Sequence, residues 1–518
     1  MTLHFITFPI RIRTFNKSMK NFIVVLTFLA CVCVLALASS RTKRQRQHDL
    51  MGAYSPVPPM NAKTLQGSAS GPFYFPQRQN HFDGSNANRW EQEYFVNDTF
   101  WKGPGSNAPV FLCVGGEGPA FSTAVAVDSV HCSNAVDWLP EVGALFLAVQ
   151  HRYYGCDLTN KEHPNCPVDS LDEPTTDLIY LNSKQALADL AAFHEFATEK
   201  YGLSDQNKWV SWGGSYPGML AGWFRLKFPN LVHAAIASSA PVHTKLEMQE
   251  YNDHVTYAFT VPSVGGSQEC ADAIANGHVA IGNLMNTDEG RAELASLFPS
   301  IPSADWLKTK ANQRAFAGEG VAYFPAQSND PACTQPSCNI KSICEIMLIK
   351  GSDPVKQLAV VAKGQRGASY NANVEDGSPP DYWGWQTCNE MGFYQTCNVG
   401  SQCMYTQGLD SLADEMAFCS SDFKIDPSIV AQNVNNTDVY YGGLKPVGTR
   451  VMWPNGQVDP WSTLSILKSP DPANQPTLYV PGASHHFWTH PTMPTDEKPI
   501  VQARLAIRKQ VADWLNEP

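Results

Sequence analysis

The stretch at 209–218, WVSWGGSYPG, takes the chain from one backbone geometry to another within a few residues. Trp209, Val210, Ser211 and Trp212 form a bulky apolar run suited to a buried strand, and the following MLAGWFRLKF has a helical composition. A serine on so sharp a strand-to-helix turn needs small neighbours, and Gly213 and Gly214 supply them. Pro217 suits the first helical turn, where the N–H that proline lacks would have no helical partner. A glycine turn without chemistry gives the same short string. The rest of the chain has to decide.

On either side the sequence alternates. APVFLCV (108–114), GALFLAV (143–149), KWVSW and LVHAAIASSAP read as strands. SKQALADLAAFHEFATEKYG (183–202) predicts a helix capped by Ser183 and stopped by Gly202, and a second helix should run from Tyr216 to Phe228 before Pro229. Continuous apolar strands joined by helices predict a parallel sheet covered on both faces. From 243 to 440 the chain turns polar and rich in Cys, Gly and Pro, with a helical stretch from Ser267 to Leu284. Alternation returns with strands TRVMW (449–453) and PTLYV (476–480) and an amphipathic helix over 499–515. The predicted fold is α/β, a hydrolase-type sheet in two parts (71–242 and 441–518) around a mostly helical, disulfide-containing cap (243–440).

The N-terminal segment, read from Met1 or from Met19, carries an apolar run from Phe22 to Leu37 and then Ala36-Leu37-Ala38 before Ser39. This predicts a signal peptide over 1–38 and a short pro-region or linker over 39–70 that includes the basic Arg41–Arg44. A retained signal anchor is the alternative; the small residues favour cleavage, with no stable membrane anchor afterwards. Removing Cys31 and Cys33 from the 14 cysteines leaves an even set, which in a secreted chain reads as a disulfide framework. The sequons at Asn97 and Asn435 suit the same route, which ends outside the cell or in a lysosome or vacuole. A net charge of −11 without a basic block beyond Arg41–Arg46 argues against nucleic acid as a ligand. No zinc-like Cys-x-x-Cys pairing occurs, so no metal is expected; the serine chemistry that the remaining motifs point to calls for no cofactor either.

In a nucleophile-elbow hydrolase the chain order is serine, acid, histidine. Here Ser215 is followed by Asp459 in NGQVDPW, past one predicted strand, and by His485-His486 in GASHH, past the next. Each sits where parallel α/β sheets place their ligand sites. A serine hydroxyl needs a base to take its proton; His485 would do so, oriented by Asp459, although spacing alone permits His486. Two N–H donors should hold the oxyanion, Tyr216 by position and Gly116 from the Gly115–Gly118 loop. Glu117 in that loop could attract a peptide's N-terminal ammonium or could be a solvated carboxylate.

The pieces HFDGSNANRWEQEYFVND, GGEGP, HRYYG, LNSKQALADL, WGGSYPG, RLKFP, ASSAPV, WGWQTCNEMGFYQT, NGQVDPW and GASHH occur in this order. Together they resemble the serine peptidase family that contains lysosomal Pro-Xaa carboxypeptidase, dipeptidyl peptidase II and thymus-specific serine protease, with EYND and GGSQEC most like the thymus-specific branch. The resemblance implies a Ser215–Asp459–His485 triad, peptide substrates and an acyl-enzyme. It also implies an apolar P1 pocket formed partly by Tyr216, Met219 and Trp461 that suits proline or alanine. This would make the chain an exopeptidase, either a carboxypeptidase or a dipeptidyl peptidase. An ester hydrolase on the same fold and a silent peptide-binding homologue are the competing readings. Three positions depart from the family pattern: Asn80 and Gln150 replace acids, and Trp488 replaces an aspartate, with a reshaped pocket rim as the expected consequence.

Overall fold

The computed structural model describes residues 69–365 and 381–517. The signal peptide and nearly all of the pro-region expected from the sequence lie outside these residues. An antiparallel hairpin, β1 (Ser70–Arg78) and β2 (Arg89–Asn97), forms one edge of an eight-stranded sheet. Then come β3 (Val110–Val114), β4 (Leu145–Val149), β5 (Trp209–Gly214) and β6 (Ala234–Ser238). Two short strands, β7 (Lys245–Glu247) and β8 (Gly392–Tyr394), pair apart from this sheet. The main sheet is completed by β9 (Val451–Gly456) and β10 (Thr477–Val480) in the order β1-β2-β4-β3-β5-β6-β9-β10. From β4 to β10 all neighbours are parallel. This is an α/β-hydrolase sheet.

The strands are apolar on both faces because both faces are covered. Val110, Leu112 and Val114 join one core, while Phe111 and Cys113 join the other. Helices α1 (Ser183–Lys200) and α2 (Tyr216–Lys227) bury Leu187, Phe193, Met219 and Phe224 against the first. The closing helix at Lys498–Asn516 buries Ile507, Val511 and Trp514 against the second. The α1 cap is Asn182, whose side chain accepts the Gln185 N–H, so Ser183 falls inside the helix rather than at its cap.

After Ser238 the chain leaves the sheet and returns at Val451. Between them lie mostly helices, among them Gln249–Ala258, Gln268–Leu284 (capped by Ser267 as expected) and Ile340–Met347. Disulfides Cys270–Cys344, Cys333–Cys338, Cys388–Cys419 and Cys397–Cys403 tie this cap, while Cys113–Cys132 and Cys156–Cys166 tie the sheet side. All cysteines among the described residues are thus paired. The cap's apolar residues, such as Val255 and Ile274, continue the first core rather than forming a separate one.

Candidate active site

Ser215 sits between β5 and α2 with φ 64° and ψ −132°, a conformation that L-residues adopt only when the surroundings impose it. Its N–H donates to the Ser238 carbonyl at 3.0 Å, and its carbonyl accepts the Met219 N–H at 2.9 Å. The glycine two residues before it is required by crowding: a Cβ on Gly213 would lie 2.3 Å from the Pro217 carbonyl oxygen.

The acid and base stand past the ends of β9 and β10. Asp459 is fully buried, and both its oxygens lie 2.9 Å from His485 Nδ1. Oδ1 also accepts the Trp461 N–H, which holds the carboxylate in place. Nδ1 therefore carries the proton, leaving Nε2 as an acceptor; it is buried and makes no hydrogen bond. His486 is used elsewhere: its N–H donates to Ser239 Oγ at 2.8 Å, and its Nδ1 lies 3.0 Å from Thr489 Oγ1. Burial, then the charge of neighbouring His485 and His131, pushes His486 well below the usual imidazole range.

Ser215 and His485 are not directly hydrogen-bonded, and such catalytic bonds commonly tighten only around a substrate. The Ser215 hydroxyl and the Tyr216 N–H instead face the Glu117 carboxyl. Burial pushes that carboxyl up to about 8, and its Oε2 has no hydrogen-bond partner. Glu117 is partly exposed as a residue, with that oxygen shielded from solvent. Its loop lies on the elbow, since a Cβ on Gly116 would fall 2.2 Å from Pro217 Cγ. Tyr216 N–H, the first expected oxyanion donor, is thus near the Glu117 carboxyl.

Residues 77–507 match the family described as serine carboxypeptidase S28. The chain belongs to this family. It is 32% identical over 464 residues to the thymus-specific serine protease of Mus musculus, covering 84% of this chain and 86% of that protein. It is 25% identical over 466 residues to the lysosomal Pro-X carboxypeptidase of Bos taurus, covering 86% and 88%. Among solved structures it is similar to the proline iminopeptidase of Mycobacterium smegmatis, at 12% identity and a TM-score of 0.34 over 86% of this chain and 99% of that one.

In this S28 chain Trp461 is partly exposed, and its indole lies 5.3 Å from the rings of both Tyr251 and Phe393 and 6.2 Å from His485. Tyr216 and Met219 lie deeper and are buried. The Tyr216 hydroxyl accepts from Gln386 Nε2 at 2.9 Å and lies 3.1 Å from His151 Nε2. Glu390, one helical turn beyond Gln386, accepts from the N–H and hydroxyl of Ser183 at 2.8 and 2.7 Å. Sequence reasoning did not assign a role to Gln327, Gln386, Glu390 or His151. WGWQTCNEMGFYQT and HRYYG carried three of them as quoted pieces, but nothing local says that Gln386 will meet Tyr216.

The departures have structural places. Gln150 accepts the Phe121 N–H at 2.6 Å, and Asn80 accepts from Gln185 Nε2 at 2.6 Å. Trp488 is not at a pocket rim: it is fully buried, with Nε1 donating to Ser238 Oγ at 3.0 Å beneath the elbow. The sequons differ. Asn435 is exposed on the helix Pro427–Tyr441. Asn97 is 2% exposed, and its Nδ2 donates to the Ala126 carbonyl, so the folded chain does not present it as a glycan acceptor. No helix among the described residues is long and apolar enough to cross a membrane.

Proposed function

We propose that the chain is a serine exopeptidase with Ser215 as nucleophile, His485 as base and Asp459 as its orienting acid. The observation that carries this reading is the pairing of His485 Nδ1 with both Asp459 oxygens, which leaves Nε2 unspent on a ring beside a strained serine turn. In this reading Nε2 takes the Ser215 proton as Oγ bonds to the scissile carbonyl carbon. Tyr216 N–H and an N–H of the Gly116 loop receive the oxyanion. His485 then passes the proton to the leaving nitrogen as the C–N bond breaks. Water, deprotonated by the same imidazole, releases the acyl group from Ser215. No cofactor enters these steps.

Glu117 has to yield its place when a peptide enters. A buried neutral carboxyl loses its proton readily once an ammonium arrives beside it, so Glu117 suits the N-terminus of a short peptide. Trp461, with Tyr216 and Met219 behind it, suits proline or alanine at P1. None of these three wall residues is charged, so the wall itself offsets no buried charge. The relatives' lysosomal naming and the paired cysteines support a secreted or lysosomal route, with cleavage of the leader after Ala38.

The test compares kcat/KM for Pro, Ala, Phe and Lys at P1 in otherwise identical peptides with free or blocked ends. Pro and Ala should lead by factors of about 10–200, and blocking the recognised terminus should abolish cleavage. A preference for Lys, or efficient cutting inside long doubly blocked peptides, would overturn the reading.

A further inference from the structure

We propose that the side-chain amide nitrogen of Gln327 binds an acceptor oxygen of the substrate peptide beside its P1 residue, an inference that rests on the peptidase reading above. Gln327 belongs to a cap loop that reaches the catalytic loops directly. Its backbone carbonyl accepts the His485 N–H at 3.1 Å. Its Oε1 accepts the Trp461 indole N–H at 2.9 Å and the Tyr251 hydroxyl at 2.7 Å. An indole nitrogen only donates, so this contact fixes which end of the amide is oxygen.

With two donors on Oε1, that oxygen's lone pairs are spent. The two N–H donors on Nε2 are not: they make no hydrogen bond among the described residues, and Gln327 is partly exposed. Buried polar groups are normally satisfied, and exposed ones are free to be. What makes this amide unusual is how firmly it is aimed. Two residues on, the Asn329 carbonyl accepts from Ser484 Oγ at 2.9 Å, while Asn329 Oδ1 accepts the Ile340 N–H at 2.9 Å. The loop is thus tied both to the segment bearing His485 and to the N-terminus of helix Ile340–Met347. A donor held this way, with its oxygen on the proposed pocket wall and its main chain on the base, is prepaid in conformational entropy. The amide is neutral, so its ligand is an acceptor oxygen, either a backbone carbonyl or a C-terminal carboxylate.

Gln327→Glu keeps the shape and the oxygen facing Trp461 and Tyr251 but replaces the N–H donors with an anionic oxygen. Gln327→Met removes the donors together with the oxygen that Trp461 and Tyr251 donate to, without adding charge. Both are compared with the wild type by steady-state kinetics on peptides with free and amidated C-termini, and by the rate of fluorophosphonate labelling, which requires the serine and base but no peptide contact. Gln327→Glu, which keeps the bonds from Trp461 and Tyr251, should raise KM about 10-fold or more, and Gln327→Met, which loses them too, should raise it at least about 3-fold, with labelling slowed far less in Gln327→Glu. A penalty confined to free C-termini identifies the carboxylate as the ligand; an equal penalty on both identifies a backbone carbonyl. Unchanged KM in Gln327→Glu sinks the proposal. So does an equal loss of labelling and turnover in both variants, which is what a purely structural role would give. A wild type that labels at Ser215 yet cuts no peptide would sink the peptidase reading and this inference with it.

Discussion

On the sheet side of the candidate site, Ser215, Asp459 and His485 each follow a strand end, at Gly214, Gly456 and Val480. On the cap side, Gln327, Gln386 and Glu390 reach the same region from segments with no such anchor. Their positions are set instead by bonds to the sheet side, to Trp461, Tyr216 and Ser183. The cap also carries four of the six disulfides. The difference is between geometry imposed by a hydrogen-bonded ladder and geometry imposed by cross-links and side chains. The first should fail only when a reacting group is removed. The second should fail gradually, as ties are cut.

The largest effect should come from the sheet side. Asp459→Asn leaves the hydrogen-bond geometry nearly intact but offers His485 the wrong tautomer, so kcat should fall by about 10⁴ with little change in thermal stability. His486→Ala should cost far less in the same assay. The reverse ranking would move the base to His486 and break the comparison on its sheet side.

A middle-sized effect is expected in the cap. Replacing Cys388 and Cys419 by serine removes the tie between the short π-helical turn Thr387–Met391 and the helix Leu412–Phe423. Loss of such a bond costs about 2–4 kcal/mol. Limited proteolysis should then cut first between 243 and 440 while the sheet survives. First cuts in the sheet would mean that the two regions are one cooperative unit, as their shared core allows. Thiol titration of the denatured, unreduced wild type should find few free thiols.

The smallest effect concerns pH. Burial pushes the Glu390 carboxyl up from about 4.5 to about 7, against the bonds it accepts from Ser183. Between these values the folded chain keeps a proton that the unfolded chain has released, so this group makes stability fall as pH rises from 4.5 to 7. Glu390→Gln should flatten that part of a melting-temperature profile. An unchanged slope would mean that Glu390 does not titrate across this range.

How legible the molecule was in sequence follows the same division. The β3 to β6 run and the return at β9 and β10 were readable because each strand is a continuous apolar run ended by a turn. Observed ends differ by a few residues, as at 143–149 against Leu145–Val149. The hairpin of β1 and β2 was not read as strands. It is antiparallel and at the edge, so charged and apolar residues mix in RWEQEYFVN. The residues of the proposed triad were legible as candidates because each stands just past a strand end. Gln327 and Gln386 were not, since a glutamine in a loop has no local pattern that foretells its partner. Trp488 was misplaced for a related reason: its burial under the elbow depends on Ser238, far away in the chain. Disulfide connectivity was beyond reach, because the spacing of cysteines does not encode which pairs meet.

The central claim is that His485, held by Asp459, activates Ser215. It is tested most directly by mapping a fluorophosphonate label by mass spectrometry in the wild type, Ser215→Ala, His485→Ala and His486→Ala. The account predicts a single label on Ser215 in the wild type, none in Ser215→Ala, labelling slowed by at least about 10³ in His485→Ala, and near-normal labelling in His486→Ala. A label on another residue, or normal labelling without His485, would contradict it.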